Sequence, residues 1–278
     1  MSLSTRQNNP NDKNGKHSKM TGPEKPRQNT LYVSSLAKGL RILEVFSEER
    51  LELGLSEIAR ETGLDKSAAQ RLVNTLHQLG YIDKNAETRR YRPALKYLDM
   101  AYAYLWSDNL VQLAMPRLIE LSRQLQQTIN LARPIEQHIM YVVRLPGYRT
   151  SYGASIIGRR VPALTASSGR VMLSRQDENT IRKCVNEWPL KQYTGTTTLD
   201  RQEILDSILL AREKGYCMSE RQVLPDEINV AAPICTNDGK PVAAIHCSLP
   251  VIRWTQEKAE QEIVPHIVET ARSISPPR

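Results

Sequence analysis

With 278 residues, of which 40% are hydrophobic and 24% charged, the chain has room for two domains and enough polar surface to stay soluble. No stretch approaches the roughly 18–20 apolar residues of a membrane span, and residues 1–29 lack the apolar run of a secretory signal, so the expected setting is the cytoplasm, with no membrane partner. The net charge is +8, and residues 1–95 carry 16 Lys and Arg against 11 Asp and Glu, which favours a polyanionic partner for the first third of the chain.

In chain order, residues 1–29 read as a disordered tail, rich in Asn, Lys, Pro, Gly and Ser. A helix begins at Ser34, with Leu36, Leu40, Leu43 and Phe46 recurring as one apolar stripe. A short connector at 51–55 precedes two further helices in LSEIARETGLDKSAAQRLVN, residues 55–74. Two helices that cross closely need a small residue at the contact, and Ala59 supplies it. The turn between them needs a residue that accepts positive φ, and Gly63 stands there. Ile58, Leu64, Ala69 and Leu72 pin the pair, while Ser56 and Asp65 are candidate caps.

Projected at 100° per residue, the second helix of that pair puts Ala69, Leu72, Val73, Leu76 and Leu79 on one face. Ser67, Gln70, Arg71, Asn74 and Gln78 fall on the other, a face with no acid. Arg suits guanine and Gln or Asn suits adenine, so this composition fits base edges and phosphates. Lys66, Ser67, Ala68, Gln70, Arg71 and Asn74 are therefore the candidate DNA contacts. A hairpin follows, 81–84 and 88–92 around Asn85, Ala86 and Glu87. Its Arg89, Arg90 and Arg92 are placed to reach flanking phosphates or the minor groove. The plainer alternatives are a helical hairpin without a DNA role and an ordinary solvated turn.

A helical run at 95–106 looks like a connector. Beyond it, 115–127 reads as a helix with Pro116 in its first turn. Strands are expected at 128–132, 139–145 and 151–157, then helices at 165–173 and 201–214. Strands at 216–221, 230–235 and 242–249 follow, with Asn237, Asp238 and Gly239 as a hairpin turn. An amphipathic helix over 254–274 closes the chain. Strands with helices before, between and after them indicate an α+β domain with an antiparallel sheet.

Cys184, Cys217, Cys235 and Cys247 form no C-x-x-C pair and read as thiols in a reducing compartment, with a site built from Cys217, Cys247 and His246 as the alternative. No cofactor or metal motif is present: no Walker loop, no H-E-x-x-H, no G-x-G-x-x-G. Ser167 or Ser168 could be drawn with His246 as a hydrolytic pair, but ASSGR at 166–170 lacks the first glycine of a nucleophile elbow. The chain is not expected to be an enzyme. A sensor acting through protein partners is a third reading.

The strings SLAKGLRIL at 35–43, LSEIA at 55–59, GLDKS at 63–67 and RLVNTL at 71–76 resemble the DNA-binding domain of IclR-type regulators. The resemblance continues through ASSGRVML at 166–173, Gly215-Tyr216, AAPI at 231–234 and AAI at 243–245. YVSSL at 32–36 and RVPA at 160–163 are most similar to the subgroup that regulates aromatic-acid catabolism through the β-ketoadipate pathway. The resemblance implies an α+β protein with a winged helix-turn-helix at 30–94, a linker helix at 95–109 and a GAF-like effector domain at 110–278. It implies double-stranded operator DNA as a partner, a small organic acid as effector, and self-association into homodimers or tetramers. By the same match, Ser167, Ser168, Ser219, Asn229, His246 and Ser248 fall at effector-pocket positions.

Strand parity places His246 and Ser248 on one face and Ile245, Cys247 and Leu249 on the other. For His246, a hydrogen-bonded core role and a ligand contact are both open. The chain departs from the family at Gln222, where an acid is common, and at Asp226, where a glycine is common. Pro225 stiffens the loop between them. The mechanism implied is that effector closes the sensor domain and the linker helix shifts the reading helices, with repression and activation equally compatible.

Overall fold

The computed structural model describes residues 31–147 and 157–274. The expected tail, and all of the expected strand at 151–157 except Ile157, lie outside these residues. The chain divides into two compact units, one ending at Tyr97 and the other beginning at Leu98.

The first unit holds α1 (Ser34–Glu44), α2 (Leu55–Thr62), α3 (Lys66–Gln78), β1 (Ile82–Lys84) and β2 (Tyr91–Pro93). Ile42, Val45, Leu53, Ile58, Val73, Leu76 and Ile82 form its core, and each large one contributes about 1.5–3 kcal/mol by leaving water. The apolar stripe expected along α1 is only half used: α1 buries Gly39 and Ile42, while Leu36 and Leu40 stay 61% and 47% exposed. Ser56 does not cap α2. Gly54 takes that position, and the Glu57 carboxylate accepts from the Gly54 N–H at 2.7 Å. That bond and the Arg90 guanidinium hold the Glu57 carboxyl below its ordinary pKa. Gly63 ends α2 at φ 67°, and its N–H reaches back to the carbonyls of Ala59 and Arg60. Asp65 caps α3 by accepting from Ala68 N–H at 2.8 Å.

In the second unit, α4 (Lys96–Ser107) straddles the boundary and buries no residue. Next come α5 (Asn109–Leu125), β3 (Thr128–Ile135), β4 (His138–Leu145), β5 (Arg160–Pro162), α6 (Ser167–Leu173), α7 (Glu178–Glu187) and α8 (Arg201–Lys214). β6 (Cys217–Glu220), β7 (Glu227–Cys235), β8 (Pro241–Pro250), α9 (Gln256–Glu262) and α10 (Val264–Ser273) complete it. Asp108 caps α5, accepting from Leu110 and Val111 N–H, and also pairs with Arg133 at 2.6 Å. The helix therefore starts six residues before the expected Met115, and Pro116 lies inside it rather than in the first turn. The expected closing helix is two helices that meet at Ile263, with Pro265 in the first turn of the second.

The six strands form one antiparallel sheet in the order β5-β4-β3-β8-β7-β6. Along β7 and β8 the pleat separates two chemistries. Ile228, Val230, Ala232 and Ile234, with Ala243, Ile245, Cys247 and Leu249, join α5 and α10 in the larger core. The opposite face carries Asn229, Ala231, Ala244, His246 and Ser248 beneath α6. α7 and α8 pack beyond α6 around Ile181, Ile204 and Ile208. No helix among the described residues is long and apolar enough to cross a membrane.

Candidate functional site

Two surfaces gather the residues singled out from the sequence. On the first unit, Lys66, Ser67, Gln70, Arg71, Asn74 and Gln78 are all exposed on one side of α3, while Ala69, Val73 and Leu76 are buried on the other. Ala68 is half-buried between them. The wing pairs Ile82 with Pro93 and Lys84 with Tyr91. Leu53 adds two hydrogen bonds to Tyr91 on the outer edge, at 2.9 and 2.8 Å. The return strand begins at Tyr91, so Thr88, Arg89 and Arg90 belong to the turn. The Asn85 side chain organises that turn by accepting from Glu87 and Thr88 N–H.

The three wing arginines are not equivalent. Arg89 sits at the tip, exposed, at φ 57°. Arg92 is exposed, 4.0 Å from Asp83. Arg90 turns inward, pairing with Glu57 at 2.8 Å and donating to the Glu52 carbonyl at 2.8 Å. It fastens the wing to α2 and is not gathered with the exposed cations.

On the second unit, the polar sheet face, the start of α6 and the β6–β7 loop enclose a cavity. Its lining includes Tyr141, Arg159, Ser167, Glu227, Asn229 and His246, closed at the edge by Ser219, Val223 and Leu224. The space left is about 10 Å³ for the centre of a water-sized sphere, room for one water molecule. Four of the six expected effector contacts, Ser167, Ser219, Asn229 and His246, line it. Ser248 lies outside the lining and donates to Asn229 Oδ1 at 3.2 Å. Ser168 is fully buried and is not part of the lining.

His246 is hydrogen-bonded within the core and also lines the cavity. Its Nε2 lies 2.6 Å from Asn229 Oδ1 and its Nδ1 lies 3.4 Å from Asn130 Nδ2. These partners select a neutral ring, with Nε2–H donating to Asn229 and Nδ1 accepting from Asn130. Burial, with Arg144 nearby, pulls its pKa down to about 4. The same ring stacks on Tyr141, centroids 5.5 Å apart at 21°, so the cavity floor is an aromatic pair held by a polar network. The Ser167 hydroxyl and Asn130 Oδ1 are buried with no hydrogen-bond partner among the described residues.

Tyr141, Arg159 and Glu227 were not anticipated. The signal for Glu227 was its i, i+2 relation to Asn229 on one strand face. The departures at 222 and 226 are accommodated locally. Gln222 Oε1 accepts from Thr198 N–H at 3.0 Å and its amide donates to Thr196 O at 3.1 Å. Thr196 and Thr197 donate to the carbonyls of Arg221 and Gln222, which pins the loop above the cavity. Positive φ falls on Arg221, at 54°, and not on Asp226, so no glycine is required there. The four cysteines are unpaired. Among the described residues no three His, Cys, Asp or Glu side chains gather as a metal site.

Residues 35–86 match the IclR helix-turn-helix domain and residues 102–276 match the bacterial transcriptional regulator IclR C-terminal domain. The chain is 29% identical to the Pca regulon regulatory protein of Pseudomonas putida over 244 residues, 87% of this chain and 83% of that one. It is also 29% identical to the p-hydroxybenzoate hydroxylase transcriptional activator of Acinetobacter baylyi, over 87% of this chain and 91% of the other. Among solved structures, an IclR homologue of Microbacterium hydrocarbonoxydans complexed with 4-hydroxybenzoate matches with a TM-score of 0.70 at 21% identity, covering 87% of this chain and 97% of that one.

Proposed function

This chain belongs to the IclR family of bacterial transcriptional regulators, and from that premise we propose that it reads operator DNA as a homodimer under the control of a small organic acid bound in the Tyr141–His246 cavity. The observation that carries the DNA half is the acid-free exposed face of α3 beside the exposed tip of the wing. Gln70, Arg71 and Asn74 read base edges in the major groove, Lys66 and Ser67 approach phosphates from the start of α3 beside Ala68, and Arg89 and Arg92 reach flanking phosphates. Arg90 supports them by holding the wing.

The dimer reading rests on the apolar side chains that the first unit leaves in water. Tyr32, Val33, Leu36 and Leu40 are all exposed, a close-set apolar group and a natural face for a second copy. A twofold dimer binds a palindromic site with half-sites one helical turn or a multiple apart.

The effector half is supported by the cavity and by the 4-hydroxybenzoate complex of the Microbacterium relative. A stacked Tyr141–His246 pair offers an aromatic face, and Arg159 and the Ser167 hydroxyl offer a cation and a donor for a carboxylate. An aromatic-catabolism acid fits this set. It needs more room than one water, so its binding favours a wider form of the cavity, and it shifts regulation through its different affinity for the two forms. The reading contains no catalytic step.

Footprinting on the DNA upstream of its own gene tests the whole. Protection that is lost as salt rises, and altered by aromatic acids, is expected. No protection at moderate salt, with or without acid, refutes it. Replacing both Gln70 and Arg71 by Ala is expected to remove the protection while leaving acid binding intact.

A further inference from the structure

We propose that Glu227 makes this cavity selective for acids that also carry a hydrogen-bond donor, a hydroxyl or an amine, while the ligand's own carboxylate is met by the cation Arg159. The inference rests on the effector reading of the cavity and adds to it the chemical class and the residue that sets it.

Position comes first. β7 puts Glu227 on the same face as Asn229, in register with Pro250 of β8, and its side chain lines the cavity with Ser219, Asn229 and His246. The groups acting on it come from every neighbouring element: Arg144 on β4, Arg159 before β5, the Ser248 hydroxyl on β8 and Asp226 beside it. His246 faces it as a neutral ring, and Val223 and Leu224 cover it as apolar walls.

The polar network then decides what is left for a ligand. Asn229 Oδ1 already accepts from His246 and Ser248, and both nitrogens of His246 are engaged. Among the acceptors that line the cavity, the Glu227 carboxylate is the strong one; the Ser248 hydroxyl acts on it but has a single proton, which Asn229 Oδ1 also draws, so its oxygens keep acceptor capacity for a ligand. A ligand with a carboxylate alone would bring a second anion into a small, poorly hydrated space with nothing to offer Glu227. It enters only if Glu227 takes up a proton, since two close carboxylates do not both ionise readily. A hydroxyl or amine on the ligand instead donates to the ionised carboxylate, and a hydrogen bond to a charged group is worth about ten- to a hundredfold in affinity. Burial, reinforced by Asp226, lifts the Glu227 pKa to about 7, so both situations are accessible near neutral pH.

The test measures, by calorimetry on the full-length protein, dissociation constants for 4-hydroxybenzoate against benzoate and for lactate against propionate. Measurements run at about pH 6 and about pH 8 on the natural chain and on Glu227→Gln. At the higher pH the hydroxy acid of the pair that binds is expected to be about ten- to a hundredfold tighter than its plain partner. The plain acid should gain affinity as pH falls, with uptake of one proton, and Glu227→Gln should abolish that pH dependence. Equal affinities within a pair at the higher pH overturn the inference while leaving the effector reading intact. So does a Glu227→Gln protein that keeps the natural pH dependence. Binding of none of the four acids at either pH overturns the effector reading itself, and this inference with it.

Discussion

Gly169 sits in α6 where a single methyl group has nowhere to go. A Cβ built on it would lie 2.1 Å from the Ala163 carbonyl oxygen, 2.4 Å from Ala163 Cα and 2.6 Å from its carbonyl carbon. Non-bonded carbon contacts settle at about 3.5–4.0 Å, and all three obstacles are backbone, so α6 or the turn after β5 must move by about 1 Å or more. Overpacking of this kind costs about 1–3 kcal/mol, sometimes more. The helix propensity gained by replacing Gly with Ala returns at most about 1 kcal/mol. Gly169→Ala is therefore expected to destabilise the second unit by about 2 kcal/mol. It should also weaken acid binding, because Thr165, Ala166 and Ser167 all line the cavity. Gly39 provides the control. It lies mid-helix in α1, and an added Cβ would meet only Leu72 Cδ2, at 3.8 Å, so Gly39→Ala should stabilise the first unit by about 0.5–1 kcal/mol. Urea unfolding followed by circular dichroism reads both, as separate transitions if the units unfold independently. A Gly169→Ala protein with an unchanged midpoint and slope would refute the steric argument.

Glu227→Gln should change how stability responds to pH. The folded-state pKa of Glu227 is raised from 4.5 to about 7, so ionising it penalises the folded chain. The penalty is absent below about pH 4.5, grows as pH rises to about 7, and is constant above that, reaching at most about 3 kcal/mol and less with residual solvent screening. Thermal melts of both proteins across that range should show the variant gaining relative to the natural chain. Parallel curves would sink the claim. In the wing, Arg89→Ala should lower the salt slope of DNA binding by about one. Arg90→Ala should instead loosen the wing, seen as faster amide exchange at Leu53 and Tyr91, because Glu57 and the Glu52 carbonyl lose their partner. Leu36→Glu together with Leu40→Glu should leave a folded monomer in analytical ultracentrifugation where the natural chain is expected to sediment as a dimer. A variant that sediments with the natural chain would remove this face from the interface.

The helix-turn-helix was legible because each of its requirements is local. A glycine at positive φ, a capping aspartate three residues before the N–H it serves, and a 3.6-residue apolar period are all written within a dozen neighbours. Ser56 was misread as a cap because a carboxylate at Glu57 can satisfy the Gly54 N–H from inside the helix, so a glycine serves where a hydroxyl was expected. The start of α5 was misplaced for a related reason: Asp108 caps it seven residues before Met115, and Pro116, read as a first-turn residue, lies inside the helix. The wing shows the limit of local reading. Arg89, Arg90 and Arg92 are chemically alike in sequence, and Arg90 is set apart by an acid 33 positions away, which only the fold brings near.

The cavity shows the same limit from the other side. Strand parity identified the sheet face of His246 and Ser248, but parity ranks residues by direction and not by what they have left to bond. His246, the most conspicuous polar residue of that face, is the one whose hydrogen-bonding capacity is already spent. Nε2 closes on Asn229 Oδ1 and Nδ1 on the Asn130 amide, which fixes the ring under Tyr141 and makes it a rigid wall rather than a variable contact. Discrimination must then come from side chains outside that closed network. Ser167, with a buried and unpartnered hydroxyl, and Glu227, a half-buried carboxylate at the start of β7, are two that line the cavity with bonds to offer. A donor and an acceptor left over beside an aromatic wall describe a ligand that is itself both acid and donor. Mutating His246 should therefore cost the fold more than it changes the choice of ligand, and mutating Glu227 the reverse.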